Sequence, residues 1–89
     1  MTEEESLIDF PCEFKIKIAG ASLPEFQQRV IAIIKKHDPL FNKDTHLKSR
    51  PSRTGRYLGL TATIYAVNKA QLNALYHDLS QCEWVSWAL

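Results

Sequence analysis

Arg56-Tyr57-Leu58-Gly59-Leu60-Thr61-Ala62-Thr63-Ile64-Tyr65-Ala66-Val67 is the stretch from which the fold follows. Leu58, Leu60, Ala62, Ile64 and Ala66 recur at every second position, and Tyr57, Thr61, Thr63 and Tyr65 fall between them. A period of two puts one set on each side of a pleated strand, so one face is buried and the other is not. Gly59 inside the run suggests a bulge or a close backbone approach. Toward the N-terminus, Ser52 to Gly55 reads as a hairpin loop. Before it, Thr45 to Arg50 reads as a weaker edge strand, because Leu47 is its only strong apolar residue and Pro51 ends it. Toward the C-terminus, Asn68 followed by Gln71 is a helix-start signal, and Leu72, Leu75, Tyr76 and Leu79 continue at helical spacing. Ser80 and Gln81 then turn the chain into a last strand, Cys82 to Ala88. Its alternation is expected to set Val85, Trp87 and Leu89 on one face and Trp84 and Ser86 on the other.

The first half supplies the remaining elements. Phe14, Ile16 and Ile18 alternate with Glu13, Lys15 and Lys17, which predicts a half-buried strand over about Cys12 to Ala19. Gly20 is expected to break it, and Ser22 with Glu25 to form a capping box that starts a helix, with Pro24 tolerated in its first turn. Leu23, Phe26, Val30, Ile33 and Ile34 make one apolar stripe. Lys35, Lys36 and His37 suit the negative end of the helix dipole, and Asp38-Pro39 stops the helix. The order is β-α-β-β-α-β. Two helices on one face of a four-stranded antiparallel sheet of order 4-1-3-2, a ferredoxin-like α+β sandwich, bury these faces best. Residues 10–89 form that single domain, and residues 1–9 form an acidic N-terminal tail. The Gly20 loop, the 51–55 hairpin and the Ser80-Gln81 turn gather at one end. Cys12 and Cys82 fall at opposite ends of the sheet, too far apart for a disulfide.

Eighty-nine residues, 45% hydrophobic and 24% charged, make one small globular domain and argue against a self-contained enzyme. Glu3, Glu4 and Glu5 stand where a secretory signal would need positive charge. The longest apolar run, Val30 to Ile34, is far short of the roughly 20 residues that span a bilayer, so a cytoplasmic protein without a membrane partner is expected. The net charge of +1 conceals polarity. Glu3, Glu4, Glu5, Asp9 and Glu13 crowd the first 14 residues, whereas Lys43, Lys48, Arg50, Arg53 and Arg56 crowd residues 43–56.

Two surfaces follow. At the hairpin end, the backbone of Gly20, Ala21 and Ser22, the helix dipole, and Arg53 with Arg56 could converge on a small anionic ligand. On the open sheet face, Tyr57, Tyr65 and Trp84 are expected to form an interface with a protein partner or a second copy. The same face, with Lys15 and Lys17, raises nucleic acid as a partner. An RNA-recognition strand would read close to K-G-F-G-F-V-x-F, and Arg56 to Thr63 departs from that pattern, which argues against it. His37, His46 and His77 share no motif with Ser22, Cys12 or Cys82, so no catalytic residue, metal site or cofactor is expected.

The segments Phe10-Pro11-Cys12-Glu13-Phe14, Gly20 with Leu23-Pro24-Glu25, Ser52-x-x-Gly55-x-Tyr57 and Val85-x-x-x-Leu89 together resemble the YbeD-like family of small bacterial proteins. The resemblance implies a ferredoxin-like fold similar to ACT regulatory domains, and it brings no catalytic residue. By that analogy an effector would bind at the loop Gly20 to Pro24, where Ala21-Ser22 replaces the acidic residue that often follows the glycine in amino-acid-binding examples. The function expected is a non-enzymatic regulatory or adaptor domain acting through protein contacts. The alternative is a sensor for a small anionic metabolite.

Overall fold

A computed structural model describes residues 10–89, and the acidic tail expected over residues 1–9 lies outside them. Strand β1 (Cys12–Ala21) pairs antiparallel with β3 (Tyr57–Ala66), from Cys12 opposite Ala66 to Ala21 opposite Tyr57. On its other side β3 pairs with β2 (Leu47–Pro51), and β1 pairs with β4 (Val85–Ala88). The sheet order β2-β3-β1-β4 is the ferredoxin-like order 4-1-3-2 read from the other edge. Helices α1 (Pro24–His37) and α2 (Lys69–Ser80) complete the βαββαβ succession.

The alternation in β1 and β3 does what a period of two requires. Ile16, Ile18, Leu60, Ala62, Ile64 and Ala66 are buried against Phe26, Val30 and Ile34 of α1 and Leu72, Leu75 and Leu79 of α2. Both helices therefore cover one sheet face, and the described residues leave the other uncovered. Asn68 caps α2 by accepting the Gln71 N–H at 2.8 Å, and Gln71 Oε1 accepts from Val67 N at 2.6 Å. Gln71 also donates Nε2–H to the His37 carbonyl at 2.9 Å, tying the start of α2 to the end of α1.

Several expectations are corrected. Ser22 does not cap α1. A residue preceding proline is pushed into extended backbone, and Leu23 (φ −131°, ψ 146°) takes the cap position ahead of Pro24 with no side-chain acceptor. Leu23 itself is exposed rather than part of the core stripe. Gly20 does not break β1, which runs to Ala21. Gly59 sits in unbroken register between Arg50 and Ala19, so no bulge forms there. The bulge lies instead where β4 meets β1: Trp87 is opposite Ala19 and Val85 opposite Gly20, with the register shifting between. That extra residue moves Val85 to the helix side and leaves Trp87 on the open side, overturning the simple alternation of the last strand. β4 also starts at Val85, because Cys82 to Trp84 form a turn in which Val85 N donates to Cys82 O at 3.1 Å.

Two residues of the connection after α1 carry weight that local pattern does not reveal. Phe41 is buried in the core, and Asp38 is a buried polar group whose Oδ2 accepts the Tyr65 N–H at 3.0 Å. Cys12 and Cys82 are free thiols. No helix among the described residues is long and apolar enough to cross a membrane.

Candidate functional site

The uncovered face is built row by row from the strand register. Lys48 of β2 and Lys17 of β1 both lie opposite Thr61 of β3. In the next row, Arg50 lies opposite Gly59, Gly59 opposite Ala19, and Ala19 opposite Trp87. Further rows pair Lys15 with Thr63, Glu13 with Tyr65, and Ala21 with Tyr57. Small side chains on β3 and β1 thus make a floor, and longer ones stand around it. The result is a shallow groove of about 1220 Å³, rimmed by Lys17, Lys48, Arg50, Arg53, Tyr57 and Trp87. Among the described residues, no carboxylate lines it. Tyr57 is 55% exposed and Trp87 50%, which is high for rings of that size.

Tyr57 and Tyr65 occupy the open face as the alternation predicts. Trp84 does not. It packs against the core on the helix side, where the Arg29 guanidinium lies 5.3 Å from its ring centroid. The exposed aromatic of this face that the sequence pattern misses is Trp87, and the signal that hides it is the bulge, which leaves no trace in a two-residue period. The five residues expected to hold an anion are distributed differently. Gly20 is buried, and a β-carbon there would meet Phe26 of the helix layer. Ala21 donates its N–H to the Trp84 carbonyl at 3.1 Å and accepts from Leu23 N at 2.9 Å. Ser22 is exposed, Arg53 borders the groove, and Arg56 is exposed outside it.

The hairpin that carries Arg53 is held by Ser52, whose N–H donates to the Tyr57 carbonyl at 2.8 Å and whose Oγ accepts from Tyr57 N at 3.1 Å. Gly55, at φ 77°, supplies the left-handed residue of the turn. Lys17 is fixed from the other side by paired bonds with Leu89, at 3.0 Å and 2.7 Å.

A second polar cluster joins the two helices. The Asp78 carboxylate accepts from His37 Nε2 at 2.6 Å and from Lys36 Nζ at 3.4 Å. The hydrogen bond from His37, opposed by partial burial and aided by the Lys36 charge, holds the Asp78 carboxyl below its ordinary 3.8. A depressed carboxyl pKa contributes stability that is complete above the unfolded value and is lost as the pH falls through the folded one. The stability difference between wild type and Asp78→Asn is therefore expected at neutral pH and shrinks below about pH 4. Urea denaturation across pH checks this, and a gap that stays constant with pH would contradict it. Burial likewise pushes the Tyr76 hydroxyl up. Among the described residues, no three His, Cys, Asp or Glu side chains gather as a metal-ligand set.

Residues 5–89 match the model of a family described as "Protein of unknown function (DUF493)". A UPF0250 protein of Nitrosomonas europaea is 48% identical over 86 residues, covering 97% of this chain and 98% of its own. A UPF0250 protein of Leptothrix cholodnii is 46% identical over 77 residues, covering 86% and 84%. One of Neisseria gonorrhoeae is 41% identical over 95 aligned positions and covers both chains in full.

Proposed function

From the premise that the chain belongs to the DUF493 family of small bacterial proteins, the one its motifs resemble, we propose that it is a non-enzymatic adaptor or regulatory domain that docks a protein on its open sheet face. One observation carries the reading. The helices cover a single face of the sheet, and the other presents half-exposed Tyr57 and Trp87 beside a groove, with half-exposed Tyr65 further along the same face. Aromatic side chains bring large contact area at low entropic cost, so they anchor interfaces when they stand exposed together. The polar clusters serve the fold: Asp38 secures β3, and Asp78 with His37 secures the helix pair. Two free thiols suit a reducing compartment such as the cytoplasm.

Capture from cell extract with the purified protein, each retained protein being identified, tests the reading. The double change Tyr57→Ala with Trp87→Ala is expected to abolish retention of a specific partner, with each anchor worth about 2 kcal/mol. Gln28→Ala with Arg29→Ala, on the helix layer, is expected to leave it intact. Retention lost only by the helix-layer pair would move the docking surface to the other side of the molecule.

A further inference from the structure

Resting on that reading of the sheet face, we infer that the partner is recognised through an extended acidic segment laid along β3 between two rails of cations. Lys15 and Lys17 alternate along β1, and Lys48 and Arg50 alternate along β2, on either side of Thr63, Thr61 and Gly59. Alternate residues of a strand are about 7 Å apart, and strands on either side of a third are about 10 Å apart. An extended peptide has the same repeat. With its side chains directed left and right over β3, successive carboxylates reach the two rails in turn.

Among the described residues the rails are unmatched. The ion pairs among the described residues belong to Lys36 and His37 with Asp78, and Lys15, Lys17, Lys48, Arg50 and Arg53 have none. Glu13 is the carboxylate that β1 contributes to this face, and it sits at the far end, opposite Tyr65. Like charges gathered on one sheet face cost stability, and an anion seated between them removes that cost.

The same charges decide against other occupants. A second copy docking face to face would set cationic rail against cationic rail, because a two-fold interface brings the same patch onto itself. Sheet-face readers of single-stranded nucleic acid stack bases on aromatic rings. Here the floor between the rails is threonine and glycine, and Tyr57 and Trp87 stand at one end of it. They suit an apolar residue that terminates an acidic run.

Octaglutamate added to the full-length protein, followed by backbone amide spectra, tests the assignment. Shifts are expected to cluster at Lys17, Lys48, Gly59, Thr61 and Trp87, with affinity falling about tenfold between about 50 and about 200 mM salt. The double charge reversal Lys17→Glu with Lys48→Glu changes exposed side chains, is expected to keep a dispersed spectrum, and should weaken binding at least about tenfold. Absence of shifts on this face, or affinity indifferent to the reversal, overturns the proposal. So does tighter binding of octathymidylate, which would indicate nucleic acid, or equal competition by inorganic phosphate, which would indicate a small-anion site. If octaglutamate fails while partner capture still depends on Tyr57 and Trp87, the acidic class falls and the docking face stands. If both fail, both fall.

Discussion

Gly20→Ala is expected to lower stability by about 3 kcal/mol, the upper end of what an added methyl costs in a packed interior. The new β-carbon would collide with the Trp84 carbonyl oxygen and stand 2.5 Å from Cε1 and 2.8 Å from Cδ1 of Phe26. Neither neighbour can yield. Phe26 is fully buried, and the Trp84 carbonyl is fixed by accepting the Ala21 N–H. Gly59→Ala is the internal comparison: its nearest atom, the Arg50 carbonyl oxygen, would be 3.4 Å away, and its backbone is ordinary strand. That change is expected to alter stability by less than about 1 kcal/mol. Urea denaturation of both variants decides the matter, and equal effects would remove the close approach at Gly20 as the reason for its glycine.

Asp38→Ala is expected to cost about 2 kcal/mol, because it leaves the part-buried Tyr65 N–H without its side-chain acceptor. Asp38 is 7% exposed, and its Oδ2 takes the N–H of Tyr65 near the end of β3. Its backbone is engaged as well, donating to Ile34 O at 2.8 Å and accepting from Phe41 N at 3.0 Å, so the side chain links the end of α1 to the central strand. Asp38→Asn keeps an oxygen at the same place and is expected to recover most of the loss. Hydrogen exchange gives the second readout: the Tyr65 amide should exchange faster in the alanine variant and not in the asparagine one. Unchanged protection in both would mean that the bond contributes nothing. The effect reaches the open sheet face, since Tyr65 is one of its exposed aromatics.

Much of the open sheet face is legible in the sequence. Tyr57, Thr61 and Tyr65 share a side of β3, and Lys15 and Lys17 share a side of β1, because strand geometry alone fixes a period of two. Trp87 was not legible. Its side depends on one extra residue accommodated against β1, and such a residue reverses every assignment on that side of it. Lys48 and Arg50 were visible as charge but not as a rail, because only register across β3 shows them standing opposite Lys17 and Ala19. The error at Ser22 has a different origin: a capping pattern and a proline made competing demands on adjacent residues, and the proline prevailed through the backbone of Leu23.

By itself, then, the sequence determined the order of elements, the buried side of the long strands and the family. These follow from short-range periodicity and from turn and cap chemistry, which act over a few neighbouring residues. Only the tertiary structure decided the role of Gly20, the burial of Phe41 and Asp38, the exchange of Trp84 for Trp87, and the meeting of cations from β1 and β2. Each of these depends on a distance between residues far apart in the chain. Close packing and strand register set such distances, and local pattern does not encode them.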